Sequence, residues 1–253
     1  MTVHKRDTMG GLAKGLQVIE TFTADRPRQT ISEVAASSGV DRATSRRCLL
    51  TLAQAGYADY DGKFFTLTAR VLRLGTACLA TMPLPQIVQP WLDRLSAELG
   101  ESSSASILDG DEIVYVARAA QKKVMSISLM AGSRLPAYCT SMGRVLLAAM
   151  AESEARTIVT RTNLPARTPH TITDPEALML ELTCVRTQGF AVINQEVELG
   201  LCSIAVPLLN ARGKVVAALN LGIPALNHTS NGLALRYLPA LLRVQNEVRR
   251  ALR

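Results

Sequence analysis

The sequence predicts two domains, a winged helix-turn-helix followed by an α+β sensor-like domain with an antiparallel sheet. Three observations carry that prediction. Residues 30–57 read as two short helices around a glycine turn, and the second helix has an arginine-rich outer face. Asp61-Gly62 then stands between two short aromatic and apolar runs, a hairpin signal. From Ser103 onward, strand-like segments separated by short turns replace most of the helical periodicity.

Taken in order, Leu12, Leu16, Ile19 and Phe22 recur at helical spacing and predict an amphipathic first helix. Thr30 and Glu33 stand at capping-box spacing, so a second helix starts there with Ile31, Val34 and Ala35 inward. Gly39 suits the left-handed residue that ends it, and Asp41 suits the cap of a third helix. In that helix Ser45, Cys48, Leu49 and Leu52 share the inner face, leaving Arg42, Ala43, Thr44, Arg46 and Arg47 as the outward set. Such a helix reads base edges through its N-terminal residues, and arginine matches guanine edges and phosphates. Lys63 at the hairpin tip is placed to meet a phosphate. The alternative for this whole segment is an ordinary helical hairpin with a solvated basic face.

Thr68 opens a further helix that ends before Met82-Pro83-Leu84-Pro85. Its apolar residues Val71, Leu72, Leu74 and Leu79 exceed what a solvated connector needs, which points to dimerisation or interdomain packing. Residues 1–67, 68–84 and 85–253 are therefore expected as DNA-binding domain, linker helix and sensor domain. The next helix is expected from about Gln86 to Leu99, with Val88, Leu92, Leu95 and Leu99 on one face and Pro90 as kink or effective start. SASIL and EIVYVAR flank the turn at Asp109-Gly110-Asp111, and SISLM and RLPAYC read as further strands. Helices follow from Ser141 and from about Ser153. Thr173-Asp174-Pro175-Glu176 opens another that Gly189 closes. FAVIN, SIAVPLL and KVVAALNLGI are the last strands, before a long helix from about Ser230 to Leu252.

Composition narrows the class. Of 253 residues 48% are hydrophobic and 19% charged, which describes a globular protein. The net charge is +7, with 11 Lys+Arg against 7 Asp+Glu in residues 1–80 and 17 against 14 in the other 173. The denser positive charge thus lies where a DNA reader needs it. Five scattered cysteines and no secretory leader predict reduced thiols in a cytoplasmic protein. The apolar runs are too short to span a bilayer, so no membrane partner is expected. No metal-ligand spacing, P-loop or dinucleotide fingerprint is present, and neither metal nor cofactor is expected.

Catalysis has little to stand on. Ser141 lies in CTSMG rather than a GxSxG elbow, and Cys139 has no base motif near it in sequence, which favours a pocket or core residue. A binding site reads better. Residues 135–144, LPAYCTSMGR, lead a strand into a helix start and offer Tyr138, Cys139, Thr140, Ser141 and Met142 to a ligand, with a helix N-terminus suited to a carboxylate. Asn220 interrupts the apolar VVAALNLGI, and Glu196 and Ser203 flank the segment NQEVELGLCS. Capping by Thr140 and Ser141 and an internal hydrogen bond for Asn220 are the competing structural readings.

The segments KGLQVIETF, ISEVAASSGVDRATSRRCLLTLAQAGY, GSRLPAYCTSMGRVLLA and NQEVELGLCSIAVPL together resemble the IclR family of bacterial transcriptional regulators over almost the whole chain. The later two resemble the branch that governs aromatic-acid catabolism through the β-ketoadipate pathway. The resemblance implies a GAF-like C-terminal domain that binds a small organic acid. It also implies a homodimer or tetramer on a palindromic double-stranded operator, with RNA polymerase a further partner of an activator. Carried over by position, the family's effector pocket falls on Ser141, Met142, Ile193, Ser203, Asn220 and Gly222. One departure stands out: Cys202 occupies a place where close relatives tend to carry arginine. That cation could have paired with an effector carboxylate or with Glu196, so either the effector differs or another arginine such as Arg134 or Arg144 takes over. The alternative function is a small-molecule-binding module or amidase/esterase-like enzyme with an N-terminal protein-interaction domain.

Overall fold

The computed structural model describes residues 7–121, 129–225 and 230–252. Its contacts divide the chain into two units, Met1–Ala80 and Thr81–Arg253.

In the first unit, α1 (Gly10–Glu20), α2 (Ile31–Ser38) and α3 (Arg42–Gln54) precede a hairpin of β2 (Ala58–Tyr60) and β3 (Phe65–Leu67). The capping box at α2 is present in both directions: Glu33 N donates to Thr30 Oγ1, and Thr30 N to Glu33 Oε2. Gly39 ends α2 at φ +67°, a conformation that glycine adopts without strain. Asp41 caps α3 by accepting from Thr44 N. Val18, Val34, Leu49, Ala58 and Phe65 form the buried centre, with Phe22, Ile31, Cys48 and Leu52 partly buried around it.

Two details depart from expectation. Leu12 and Leu16 are exposed in the single chain, and α1 buries Val18 instead. The hairpin also gains a third strand, β1 (Arg28–Gln29), which pairs with β3 to give the order β1-β3-β2. A two-residue strand is too short for sequence periodicity to show.

After β3 a 3₁₀ turn (Ala69–Val71) leads into α4 (Leu72–Thr81). Leu72 and Leu74 are exposed, and the side chain of Leu79 lies outside the described residues. The second unit opens with α5 (Pro83–Leu99), three residues earlier than expected. Pro83 stands at N1, where a missing N–H costs nothing, and the helix continues through Pro90. Packing explains the continuation: Val88, Leu92 and Leu95 are buried on both sides of the proline.

The sheet of the second unit comprises β4 (Ser102–Asp109), β5 (Glu112–Ala119), β6 (Arg134–Pro136), β7 (Ala191–Asn194), β8 (Leu201–Leu209) and β9 (Val215–Pro224). It is antiparallel, in the order β6-β5-β4-β9-β8-β7. Gly110 turns β4 into β5 at φ +66°. Residues 126–128 of the expected strand SISLM lie outside the described residues, Leu129 and Met130 are not in a strand, and RLPAYC keeps only Arg134–Pro136 as strand. Alternate residues of β8 and β9 face opposite layers. Cys202, Ile204, Val206, Leu219 and Leu221 pack toward α5 and α9 (Ser230–Ala251). Ala205 and Ala218 join α6 (Ser141–Ala148), α7 (Glu152–Arg161) and α8 (Pro175–Gln188) on the other side. No single helix among the described residues is long and apolar enough to cross a membrane.

Candidate functional site: a DNA-reading helix and an effector cavity

The α3 surface follows from its burial pattern. Ser45 and Leu49 are buried, and Ser45 Oγ donates to Val40 O. Arg42, Ala43, Arg46 and Arg47 are consequently exposed, with Thr44 half-buried. Arg47 Nη2 donates to Thr44 Oγ1 at 3.1 Å, so this arginine has a helix neighbour rather than an acidic partner. Lys63 is exposed at the wing tip. Asp61 shapes that tip by accepting from Lys63 N and Phe64 N and by pairing with Arg28. Those amide donors, then the guanidinium, hold the Asp61 carboxyl down at about 2. Arg28 lies 4.1 Å above the Phe64 ring, bringing one more cation to the wing.

The second unit holds a cavity where the N-terminus of α6 meets the middle of the sheet. Thr140, Ser141, Met142, Ser203, Asn220 and Gly222 all line it, so six of the expected residues come together. Register explains the meeting. Asn220 stands opposite Ser104 on β4 and Ala205 on β8, and Gly222 opposite Ser102 and Ser203. Thr140 is also the cap, its Oγ1 accepting from Gly143 N. Ser141 and Asn220 do not follow their structural alternatives: Ser141 Oγ and Asn220 Oδ1 are buried with no hydrogen-bond partner among the described residues. The cavity volume is about 30 Å³.

Four expected residues stand elsewhere. Tyr138 is buried and donates from its hydroxyl to Pro165 O. Cys139 is fully buried near Pro136 O, and burial pushes its thiol up to about 11. Ile193 is buried opposite Ser203 but does not line the cavity. Glu196 is occupied by Arg144: Nη2 to Oε2 is 2.6 Å, and Ile172 N donates to the same oxygen. Desolvation raises the Glu196 pKa, against the lowering influence of Arg144.

The expected replacement cations are likewise committed. Arg134 pairs at the surface with Asp109 and Glu112, and Arg144 is buried in its own network. Cys202 faces the α5–α9 layer, opposite to the neighbouring Ser203, and donates from Sγ to Asn194 Oδ1. Alternation along β8 thus directs position 202 away from the cavity.

Sequence reading missed Arg118, together with Ser102, Tyr115, Leu129, Leu135, Val197 and Leu201, as lining residues. The available signal was a cation at the end of EIVYVAR beside the serine-rich β4. Arg118 Nη1 donates to Ser104 Oγ at 2.9 Å, while its buried Nε has no partner among the described residues. Burial also lowers the Arg118 pKa. Among the described residues no cluster of three His, Cys, Asp or Glu could hold a metal ion.

Comparison with known proteins agrees with both halves of this geometry. The IclR helix-turn-helix domain matches residues 11–62, and the bacterial transcriptional regulator IclR C-terminal domain matches residues 76–249. The chain is similar to the Pca regulon regulatory protein of Pseudomonas putida, 44% identical over 96% of this chain and 84% of that one. It is similar to the p-hydroxybenzoate hydroxylase transcriptional activator of Acinetobacter baylyi, 37% identical over 98% and 93%. A crystal structure of an IclR homolog from Microbacterium hydrocarbonoxydans, complexed with 4-hydroxybenzoate, covers 96% of this chain and all of its own. That structure superposes with TM-score 0.73 at 27% identity. The chain belongs to the IclR family of bacterial transcriptional regulators, with a DNA-binding winged helix-turn-helix and an effector-binding α+β domain.

Proposed function

We propose that this regulator senses a hydroxylated aromatic acid, or a carboxylic acid derived from one, in the cavity at the start of α6. The observation that carries the reading is the convergence of Thr140, Ser141, Met142, Ser203, Asn220 and Gly222 on one buried space. The activator from A. baylyi and the hydroxybenzoate-bound homolog supply the chemical class. An acid seated there acts by favouring one arrangement of this lining over another. A ligand shifts a two-state equilibrium only through such differential interaction.

The regulator acts on a palindromic operator as a homodimer or tetramer in the cytoplasm, and meets RNA polymerase where it activates. Arg42, Thr44 and Arg46, with Lys63 on the wing, address the DNA, and Arg47 reinforces phosphate contact. The exposed Leu72 and Leu74 on the linker helix supply apolar surface for subunit contact. The protein is a binder rather than an enzyme, in keeping with a Cys139 thiol held protonated at neutral pH.

Isothermal titration with protocatechuate, p-hydroxybenzoate, β-ketoadipate and muconate tests the effector class. Binding of at least one with 1:1 stoichiometry per chain is expected. Failure of all four removes the aromatic-pathway reading.

A further inference from the structure

We infer that the cavity has two chemically distinct poles: Arg118 receives a ligand carboxylate, and Asn220 with Ser141 receives a ligand hydroxyl. This inference deepens the proposed effector site and rests on it. It goes further by fixing the direction in which a hydroxy acid lies.

Register sets the poles. Arg118 on β5 faces Ser104 on β4, which faces Asn220 on β9. Two strand spacings, about 10 Å, therefore separate the backbones of Arg118 and Asn220. Ser104 stands between them on the sheet, and the apolar Tyr115, Leu129, Leu135, Met142, Val197 and Leu201 complete the lining. A flat apolar body carrying one oxygen group at each end matches that layout.

Hydrogen-bond chemistry assigns each end. Arg118 donates from Nη1 to Ser104 Oγ, and no carboxylate pairs with it among the described residues. Its buried Nε–H has no partner among the described residues. A partly desolvated guanidinium with a free donor is completed by a carboxylate, which accepts from the planar fork. Asn220 Oδ1 is an acceptor, 7% exposed as a residue and without a donor among the described residues. A ligand hydroxyl that donates to Oδ1 satisfies it. Ser141, 1% exposed, carries an unpaired Oγ that can donate to or accept from that same hydroxyl. The competing arrangement seats the carboxylate on the N-terminus of α6, and it reverses the ligand.

Calorimetry on the full chain separates the two arrangements, with 4-hydroxybenzoate, benzoate and 4-hydroxybenzamide as probes. For the wild type, both edited probes bind more weakly than 4-hydroxybenzoate, the carboxamide by on the order of tenfold to a hundredfold. Arg118→Gln abolishes the preference for carboxylate over carboxamide but keeps the preference for the hydroxylated ring. Asn220→Ala does the reverse. Arg118→Lys, which retains charge but loses the fork, restores part of the carboxylate preference and guards against a folding artefact. Retention of the full carboxylate preference in Arg118→Gln, with its loss in Ser141→Ala, overturns the pole assignment and leaves the effector reading standing. A wild-type chain that binds 4-hydroxybenzoate yet discriminates against neither edit also overturns the poles alone. If the wild type binds none of these probes and none of the pathway acids, both readings fall.

Discussion

Arg144 and Glu196 form an ion pair inside the sensor unit, with Nη2 and Oε2 2.6 Å apart and side chains only 1% and 8% exposed. Arg144 also donates from Nε to Tyr138 O and reaches Glu181 at 3.5 Å. The pair joins α6, whose first turn lines the cavity, to the segment between β7 and β8, which contributes Val197. Removing one partner of a buried pair leaves an uncompensated charge. Arg144→Met should therefore destabilise the protein by about 3–5 kcal/mol in urea unfolding. A loss comparable to that of an exposed pair would contradict this role.

The same variant has a predictable pH dependence. Burial already raises the Glu196 pKa, and loss of Arg144 removes a lowering influence. In Arg144→Met the folded state then holds the Glu196 proton more tightly than the unfolded state does, so stability rises as pH falls. The deficit should shrink between pH 7.5 and pH 5, measured by unfolding at matched ionic strength. A deficit that grows over this interval contradicts the assignment.

Gly143 is held by space rather than by dihedral angle. A Cβ there would lie 2.2 Å from Ala137 O and 2.3 Å from Ala137 Cα. Backbone atoms cannot swing aside as a flexible side chain can, so Gly143→Ala should cost at least about 3 kcal/mol, the upper end for overpacking. It should also weaken acid binding through displacement of Ser141 and Met142. Wild-type melting together with wild-type affinity would show that the loop yields freely.

The recognition helix predicts two separable effects. If Arg42 or Arg46 contacts a base, alanine there costs about 1–3 kcal/mol and relaxes specificity at one operator position. If the contact is to phosphate, binding weakens on all sequences and the salt slope falls by about 1. Anisotropy titrations at several salt concentrations distinguish these cases. Unchanged operator binding by the Arg42→Ala, Arg46→Ala double variant removes α3 as the reader.

Thiol chemistry gives an independent check of the sensor core. Cys184 and Cys78 are exposed, whereas Cys139 is buried with its pKa raised to about 11. At pH 8 a thiol reagent should modify Cys184 and Cys78 well before Cys139, as mapped by mass spectrometry. Early modification of Cys139 would mean that the loop before α6 opens readily.

Much of the fold was legible because local chemistry marks it. The Thr30–Glu33 box, the Asp174-Pro175 start and the Gly189 stop are decided within a few residues, and the structure keeps all three. What tertiary packing decides was not legible. Leu12 and Leu16 share a helical stripe, yet α1 buries Val18 instead. Pro90 reads as a kink or start, and burial on both sides of it moves the start back to Pro83. The cavity was legible where a ligand-like residue broke an apolar run, as Asn220 does. Arg118 escaped because its importance comes from register across β5, β4 and β9, which one strand alone does not reveal.

The central claim is that an acid in the second unit controls DNA binding or activation by the first. The most direct measurement is a nuclease footprint of the protein upstream of its own gene, coupled to in vitro transcription, with and without p-hydroxybenzoate or protocatechuate. The account predicts a protected palindrome whose occupancy or transcriptional output changes with the acid in wild type, and changes only at higher acid concentration in Asn220→Ala. Protection and transcription indifferent to every candidate acid, or no protected site at all, would contradict it.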